Sequence, residues 1–456
     1  MVMGSLPEQV DLAVIGGGVG GYVAAIRAAQ LGMSVALVEK EKMGGHCLNY
    51  ACIPSKTLLN ISDIFYDIQH SQQFGITVTG ASIDAKKMLQ WRMDVSKKLE
   101  AGVEFLCKQN QIDIFKGTAT FLDAKSLQLS DGVTLEFKKA IIATGSEPTV
   151  VKGFEFSDGI LDYKRALMLD HIPKNMTIVG AGYVSVETAT IYARLGTKVT
   201  ILARSDLLRN FDKDAVALVK KRLGELGVEI LTGVTPVSKT STTIKLSDGK
   251  TLYTDATVVA TGLSPYTEGL GLENTAVERD EKGFIKVDNR LQTKDNNILA
   301  IGDVIGEPLL AHKAMRQGVV AAEVASGLNS AYDNLVVPAV IFSDPEIAIA
   351  GKFEGEGIKV TKFPYTALGR AITLDATTGF VKIAFDEVDG LVKGVEIVGR
   401  DANIMISEAA LAIEMGATLE DIADTIHPHP TFGEGLMEAA EGALGRGIHF
   451  FYGRKQ

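Results

Sequence analysis

Cys47 and Cys52 lie five residues apart in Gly44-Gly45-His46-Cys47-Leu48-Asn49-Tyr50-Ala51-Cys52-Ile53-Pro54-Ser55-Lys56, and the chain has only three cysteines. Two thiols this close could cycle between dithiol and disulfide, which is two-electron chemistry. Positions i and i+5 of a regular helix do not share a face, and a disulfide needs Cα atoms within about 7 Å. If the two pair, the backbone between them is not regular helix. Pro54 supplies a cause, because its ring clashes with the carbonyl of Tyr50 and it has no N–H to give. Ser55 through Phe65 could be helical. A helix starting near Cys52 puts that thiol at the positive end of the dipole, where a thiol pKa falls from about 8.5 into roughly the 3.5–7.5 range. Lys56, four residues on, shares that face and adds positive charge. Other readings stay open on the residues alone. A structural bridge over so short a gap does little for a long chain. A zinc site would want further ligands, and only His46 is near. Both thiols could also be inert and buried.

A second chemistry-bearing pattern occurs twice. Val10–Ile15 reads as a buried strand, followed by Gly16-Gly17-Gly18-Val19-Gly20-Gly21, an Ala-rich helix to Leu31 and a strand ending at Glu39. Gly16, Gly18 and Gly21 fit G-x-G-x-x-G. The first permits the turn, the second lets the backbone approach a pyrophosphate, and the third lets helix pack on strand. The helix N-terminus then faces phosphate, and Glu39 is placed for a ribose 2′-OH. The same unit recurs 164 residues later as Met176–Val179, Gly180-Ala181-Gly182-Tyr183-Val184-Ser185 and Val199–Leu202. Leu31-Gly32 then matches Leu195-Gly196 without a gap. Ala143-Thr144-Gly145 and Ala260-Thr261-Gly262 each close an apolar strand. Two turns in register, each between strand and helix, imply two dinucleotide sites.

The third pattern is His427-Pro428-His429-Pro430-Thr431-Phe432-Gly433-Glu434. Its prolines preclude regular helix before Thr431. Thr431 and Glu434 fit a capping box opening the last helix, and the histidines could be plain loop residues.

These groups need elements to hold them. Ile83–Gln109 has a long, charged helical pattern with Cys107 as a small core residue. Gln111–Thr144 reads as short strands turning at Asp131-Gly132, and Thr293–Asp303 as an apolar strand ending in Gly-Asp. From Asn334 short strands (336–342, 360–364, 379–384, 392–398) alternate with helices (402–415, 419–424), an α+β pattern. The 456 residues suffice for two to four domains. A net charge of −10 with no basic cluster argues against nucleic acid. No apolar run is long enough to span a bilayer, and the N-terminus has no basic-then-apolar leader. So few cysteines fit a reducing, cytoplasmic setting, where a disulfide is more often catalytic than structural.

The cysteine segment resembles the redox motif of the pyridine nucleotide-disulfide oxidoreductases, and Ile-Pro-Ser-Lys is most like the dihydrolipoamide dehydrogenases among them. The resemblance covers essentially the whole chain. It implies an α/β fold with two Rossmann-like dinucleotide-binding domains and an α+β C-terminal dimerisation domain. The expected bounds are 1–145 and 263–333 for FAD, 146–262 for NAD(P) and 334–456 for the dimer interface. It makes Cys47 the interchange thiol and Cys52 the flavin-side thiol, with His46 replacing a small hydroxyl residue. It assigns FAD to Gly16, Gly18, Gly21, Glu39, Lys40, Gly45, Lys56, Thr144, Gly145, Asp303 and Ala311. It assigns the nicotinamide coenzyme to Gly180, Gly182, Tyr183, Val184, Glu187 and Gly262. Lys56 pairs with Glu187 beside the flavin. His429 becomes the acid–base, oriented by Glu434, and serves the cysteines of the other copy in a homodimer. Dihydrolipoamide would reduce the pair, and electrons would pass through FAD to the coenzyme. The lipoyl domain of a 2-oxo acid dehydrogenase or glycine-cleavage complex is the implied partner. Other disulfide reductases share the scaffold, but the tail Phe450–Gln456 lacks the cysteines of a mercuric reductase. A non-catalytic flavoprotein subunit is a further alternative.

Coenzyme choice is read from the two aligned units. Glu39-Lys40 of the first corresponds to Ala203-Arg204 of the second. Ala203 cannot accept a bond from a ribose 2′-OH, whereas Arg204, with Arg209 close in sequence, can bond a 2′-phosphate. Relatives that use NAD carry an acid at the Ala203 position. The expectation is that NADP(H) is accepted at least as well as NAD(H).

Overall fold

The computed structural model describes residues 8–452. The first seven residues, on which the leader reading partly falls, and the last four of the cysteine-free tail lie outside them. The chain divides into two compact units, residues 1–173 with 256–333 and residues 174–255 with 334–456.

In the first unit strand β1 (Glu8–Ile15) leads through the glycine turn into α1 (Val19–Gln30) and β2 (Val35–Glu39). The second half of β1, residues 12–15, is a continuous apolar run because both faces are covered there. Leu12, Ala13 and Val14 are fully buried, and two apolar clusters flank the sheet. The chain continues as α2 (Gly45–Asn49), α3 (Cys52–His70), α4 (Ala85–Gln109), β3 (Asp113–Lys116), β4 (Ala119–Asp123), β5 (Ser126–Leu129) and β6 (Thr134–Ile142). The order across the sheet is β3-β2-β1-β6-β5-β4, and strand Ile298–Ala300 also pairs with β6. Pairing is parallel through β3-β2-β1-β6, with Leu12 opposite Val35 and Val14 opposite Ile141. It is antiparallel through β6-β5-β4. Parallel strands end together, so the turn after β1 and Thr144 after β6 come to one edge. Helix Ala311–Ala325 packs on α1 almost backbone to backbone: a Cβ on Gly318 would lie 2.5 Å from the Gly20 carbonyl oxygen.

The second unit holds the repeated turn between strand Asn175–Val179 and helix Tyr183–Arg194. Strands Asn175–Val179, Lys198–Ala203 and Glu229–Thr232 run parallel. A further sheet of this unit has five antiparallel strands, with Ile347–Gly351 beside Val392–Val398 at its centre. The strand expected over 336–342 is only Ala339–Ile341, since Pro338 cannot donate to a ladder. Ile347–Gly351 is a strand that the reading of the residues did not anticipate. The last helix begins at Glu434, and its N-cap is Gly433 rather than Thr431.

One buried charge in this unit sets a pH dependence. Glu396 is 1% exposed, its Oε1 has no hydrogen-bond partner among the described residues, and its Oε2 lies 3.7 Å from Lys382 Nζ. Burial, with Asp212 nearby, pushes its carboxyl up to about 7. The folded chain therefore holds a proton that the unfolded chain has released by then. That contribution is complete below the unfolded value near 4.5 and is lost as pH rises through 7. Glu396→Gln is expected to match wild type in thermal melts at pH 4 and to exceed it by up to about 3 kcal/mol at pH 8. Equal melting at pH 8 would show that Lys382, also bonded to Asp212 at 2.8 Å, neutralises the charge fully.

Candidate active site

The two cysteines sit on either side of a helix break. Cys47 is in α2, and Cys52 is the first residue of α3. Ala51 between them has φ −128° and ψ −91°, outside the helical region. Cys52 and the cation one turn later, Lys56, thus stand at the positive end of a 19-residue helix. Both cysteines are in the thiol form and partly buried. A hydrogen bond with Cys52, reinforced by burial, drives the Cys47 pKa far above the ordinary thiol range, and Lys56 acts against this. A dithiol in which one member resists ionisation titrates as a unit.

His46 shows how its ring is held. Lys164 Nζ lies 2.9 Å from Nε2 and the Tyr163 hydroxyl 3.3 Å from Nδ1. An ammonium can only donate, so Nε2 accepts and the ring proton is on Nδ1. Burial first, and the Lys164 charge second, pull His46 down to about 4. It is neutral at physiological pH and adds no charge beside Cys47.

The first glycine turn separates two kinds of glycine. A Cβ on Gly16 (φ +104°) would lie 2.4 Å from the Ala143 carbonyl oxygen, and one on Gly21 1.8 Å from that of Gly16. Around Gly18 nothing lies within 4 Å of where a Cβ would be. The gap left at the second glycine, at the uncapped N-terminus of α1, suits a pyrophosphate. Glu39 accepts the Gly17 amide at 2.7 Å and the Glu41 amide at 2.7 Å, while burial raises its pKa. Lys40 Nζ stands 3.6 Å over the Tyr266 ring, and Gly45 abuts Gly18. Asp303 accepts from the Ser146 hydroxyl at 2.7 Å, and burial raises its pKa against the pull of Ser146 and Lys313. Thr144 donates to Tyr266 O at 2.7 Å, and Gly145 has φ +72°. Ala311 opens a helix with no side-chain cap. These residues, all of the first unit, fit the binding of FAD.

In the second unit Gly180 has φ +132°, and the space at Gly182 is open as at Gly18. Tyr183 and Val184 begin the helix, and Tyr183 is exposed. Ser185, at the third-glycine position, is fully buried. Ala203 ends its strand buried, while Arg204 and Arg209 are exposed. No ion pair engages either arginine among the described residues, whereas Asp206 between them pairs with Lys220. Glu187 is buried and accepts the Phe342 amide at 3.2 Å. Gly262, in the first unit, accepts the Thr149 amide at 3.0 Å.

The two histidines of the proline-rich segment differ. Both His427 nitrogens are engaged, Nδ1 by the Thr425 carbonyl at 2.8 Å and Nε2 by Glu408 at 2.9 Å. Both must donate, and Glu408 raises the pKa accordingly. The His427 side chain is 5% exposed and that of His429 76%. His429 Nδ1 donates to Glu434 Oε1 at 2.7 Å, which leaves Nε2 as the basic nitrogen. Glu434 Oε2 accepts the Thr431 amide at 2.8 Å, so only half of the capping box forms, and the Thr431 hydroxyl turns to Pro428 O. Burial tends to raise the Glu434 pKa, but the Thr431 amide and His429 outweigh it and hold it below the ordinary value.

Several supporting residues escape a reading of the sequence, because nothing local marks them. Tyr163 and Lys164 are more than 110 positions from His46, and Ser146 is 157 from Asp303. From α4, Arg92 Nη2 donates to the Asn49 carbonyl at 2.6 Å and the Ser96 hydroxyl to that of Leu48 at 3.1 Å.

Comparisons with known proteins bear on the family and the fold. Residues 10–318 match the pyridine nucleotide-disulphide oxidoreductase family and residues 337–440 its dimerisation domain. The chain is 46% identical to a dihydrolipoyl dehydrogenase of Geobacillus stearothermophilus, over 98% of this chain and 99% of the relative. It is 41% identical to one from Halobacterium salinarum, with the same coverage. LpdA of Mycobacterium tuberculosis has the same fold, with a TM-score of 0.89 at 24% identity over 96% of this chain and 99% of that one. The HOCl-induced flavoprotein disulfide reductase RclA of Escherichia coli superposes with a TM-score of 0.85 at 27% identity, over 94% and 99%. The chain belongs to the pyridine nucleotide-disulphide oxidoreductase family and is an oxidoreductase.

Proposed function

We propose that the chain oxidises dihydrolipoamide to lipoamide with a nicotinamide coenzyme as final acceptor, through the Cys47–Cys52 pair. The observation that carries this is the thiol pair across the break between α2 and α3, with one member at a helix N-terminus. Relatives over 40% identical bear the name dihydrolipoyl dehydrogenase. A substrate thiolate attacks Cys47 Sγ, and Cys52 leaves as thiolate. The second substrate thiol, its proton taken by His429 Nε2, displaces Cys47 and closes the lipoamide ring. Bound FAD supplies the two-electron acceptor and hydride donor that thiols lack. Gly16, Gly18, Gly21, Glu39, Lys40, Gly45, Thr144, Gly145, Asp303 and Ala311 would hold it. Lys56 and Glu187 keep the roles that the family implies for them. His429 acts on the cysteines of a second copy, so activity requires the homodimer. The exposed Ile404, Leu411 and Met415 on one helix face suit that association. The proposed domains are 1–145 with 263–333 for FAD, 146–262 for coenzyme and 334–456 for the interface. A lipoyl domain is the macromolecular partner, and the setting is cytoplasmic; among the described residues no helix is long and apolar enough to cross a membrane. Assay of lipoamide, glutathione disulfide and Hg(II) against NADH and NADPH tests the substrate. Turnover of glutathione disulfide or Hg(II) above that of lipoamide would reassign it.

The coenzyme is the finer point. With alanine at 203 and Arg204 and Arg209 exposed, neither of them in an ion pair among the described residues, NADP(H) is expected to be used at least as well as NAD(H). Ala203→Glu/Arg204→Leu should reverse the order in kcat/KM. A wild-type preference for NAD(H) of tenfold, about 1.4 kcal/mol, would sink the charge argument.

A further inference from the structure

We propose that Arg92 and Ser96 are positioning residues of the cysteine pair: from α4 they hold the break between α2 and α3 open, and so set how readily Cys47 and Cys52 join. The inference rests on the dithiol/disulfide function proposed above. In one unbroken helix the carbonyls of Leu48 and Asn49 would accept the amides of Cys52 and Ile53, four residues on. Here Ser96 takes the Leu48 carbonyl at 3.1 Å and Arg92 the Asn49 carbonyl at 2.6 Å. Pro54 does not do this by itself. A proline removes its own bond and repels the carbonyl four residues back, here that of Tyr50, which leaves a kinked helix free to keep the two preceding bonds. The clamp takes the two carbonyls that such a kink would spare. The other end of α2 is tied as well, since Asn49 Nδ2 donates to Met43 O at 2.9 Å and to Gly45 O at 3.1 Å. Arg92 is 3% exposed and its Nε has no hydrogen-bond partner among the described residues. An arginine buried at that cost, and spent on a helix-end carbonyl, is placed for the carbonyl. Only the fold brings α4 to α2, since Arg92 is 43 residues from Asn49 and Ser96 48 from Leu48.

Without the clamp the Asn49 carbonyl returns to the Ile53 amide, the segment straightens, and positions 47 and 52 move toward the separate faces of a helix. The disulfide then loses ground to the dithiol. The test is equilibration of the FAD-loaded dimer with mixtures of reduced and oxidised dithiothreitol, followed by alkylation and mass analysis of Cys47 and Cys52. In this exchange the protein disulfide gains two electrons and two protons, and dithiothreitol loses them as it closes its own disulfide. Arg92→Met is expected to shift the equilibrium toward dithiol about tenfold, or about 30 mV. Ser96→Ala should shift it by a smaller factor, and Arg92→Lys, which keeps a donor, should restore it. Lowered thermal stability with an unmoved equilibrium in both Arg92→Met and Ser96→Ala would mean a merely structural role and overturn the inference. Should Arg92→Met yield no FAD-loaded protein, Ser96→Ala decides alone, and no shift there overturns it. A wild-type pair that stays reduced at every ratio would instead overturn the function proposed above, and this inference with it.

Discussion

Cys47→Ser and Cys52→Ser are each expected to reduce lipoamide turnover to background, and to differ in colour. The FAD-loaded wild type, given less than one equivalent of reductant, should show a long-wavelength band from a thiolate stacked on flavin. Cys47→Ser should keep such a band, because Cys52 remains at the N-terminus of α3 with Lys56 one turn away. Cys52→Ser should lose it, because it removes the thiol that stands at the N-terminus of α3. Absorbance spectra of the two variants with matched flavin content decide this. A band that survives in Cys52→Ser and vanishes in Cys47→Ser would exchange the two roles. Wild-type turnover in Cys47→Ser would remove the disulfide from the reaction.

His429→Gln is expected to slow lipoamide turnover about 10²–10⁴-fold, the span of a positioned acid–base, and to leave reduction of the flavin by reduced coenzyme nearly unchanged. The geometry separates the two histidines on physical grounds. His427 has both nitrogens committed as donors to Thr425 and Glu408 and has none left to take a proton. His429 presents a basic Nε2, because Glu434 fixes the proton on Nδ1. Glu434 itself is held ionised through neutral pH by Thr431 and His429. His427→Gln should therefore act on stability more than on rate. Stopped-flow measurement of the two half-reactions separates the effects, and equal losses of turnover in the two variants would undo the assignment.

How much of this was legible in the residues depends on distance along the chain. The two glycine turns could be placed because each lies inside one strand–helix–strand stretch with its own periodicity. The break at Cys52 was foreseen from Pro54, two residues away. What holds the break was not, since Arg92 and Ser96 sit on a helix whose pattern looks only amphipathic. The same holds for His46. Its replacement of a small hydroxyl residue was visible, but the direction of its pKa depends on burial first and on Lys164 second, and only the fold supplies either. Thr431–Glu434 matched a capping pattern, yet Glu434 also serves His429, and the helix starts two residues later than the pattern suggested. Patterns within a few residues report backbone needs, whereas the partners of a site residue are chosen by packing.

The three glycines of the first turn answer to different masters. Gly16 and Gly21 are demanded by the polypeptide itself, for no side chain fits beside the carbonyl oxygens of Ala143 and Gly16. Gly18 has ordinary backbone angles, φ −66° and ψ −178°, and empty space where a Cβ would go, so the chain alone places no demand on it. Only a guest molecule forbids a side chain there. A lineage descended from this protein that gave up its flavin would therefore lose the motif in a set order, with the middle glycine drifting first and the outer two persisting as relics of the fold.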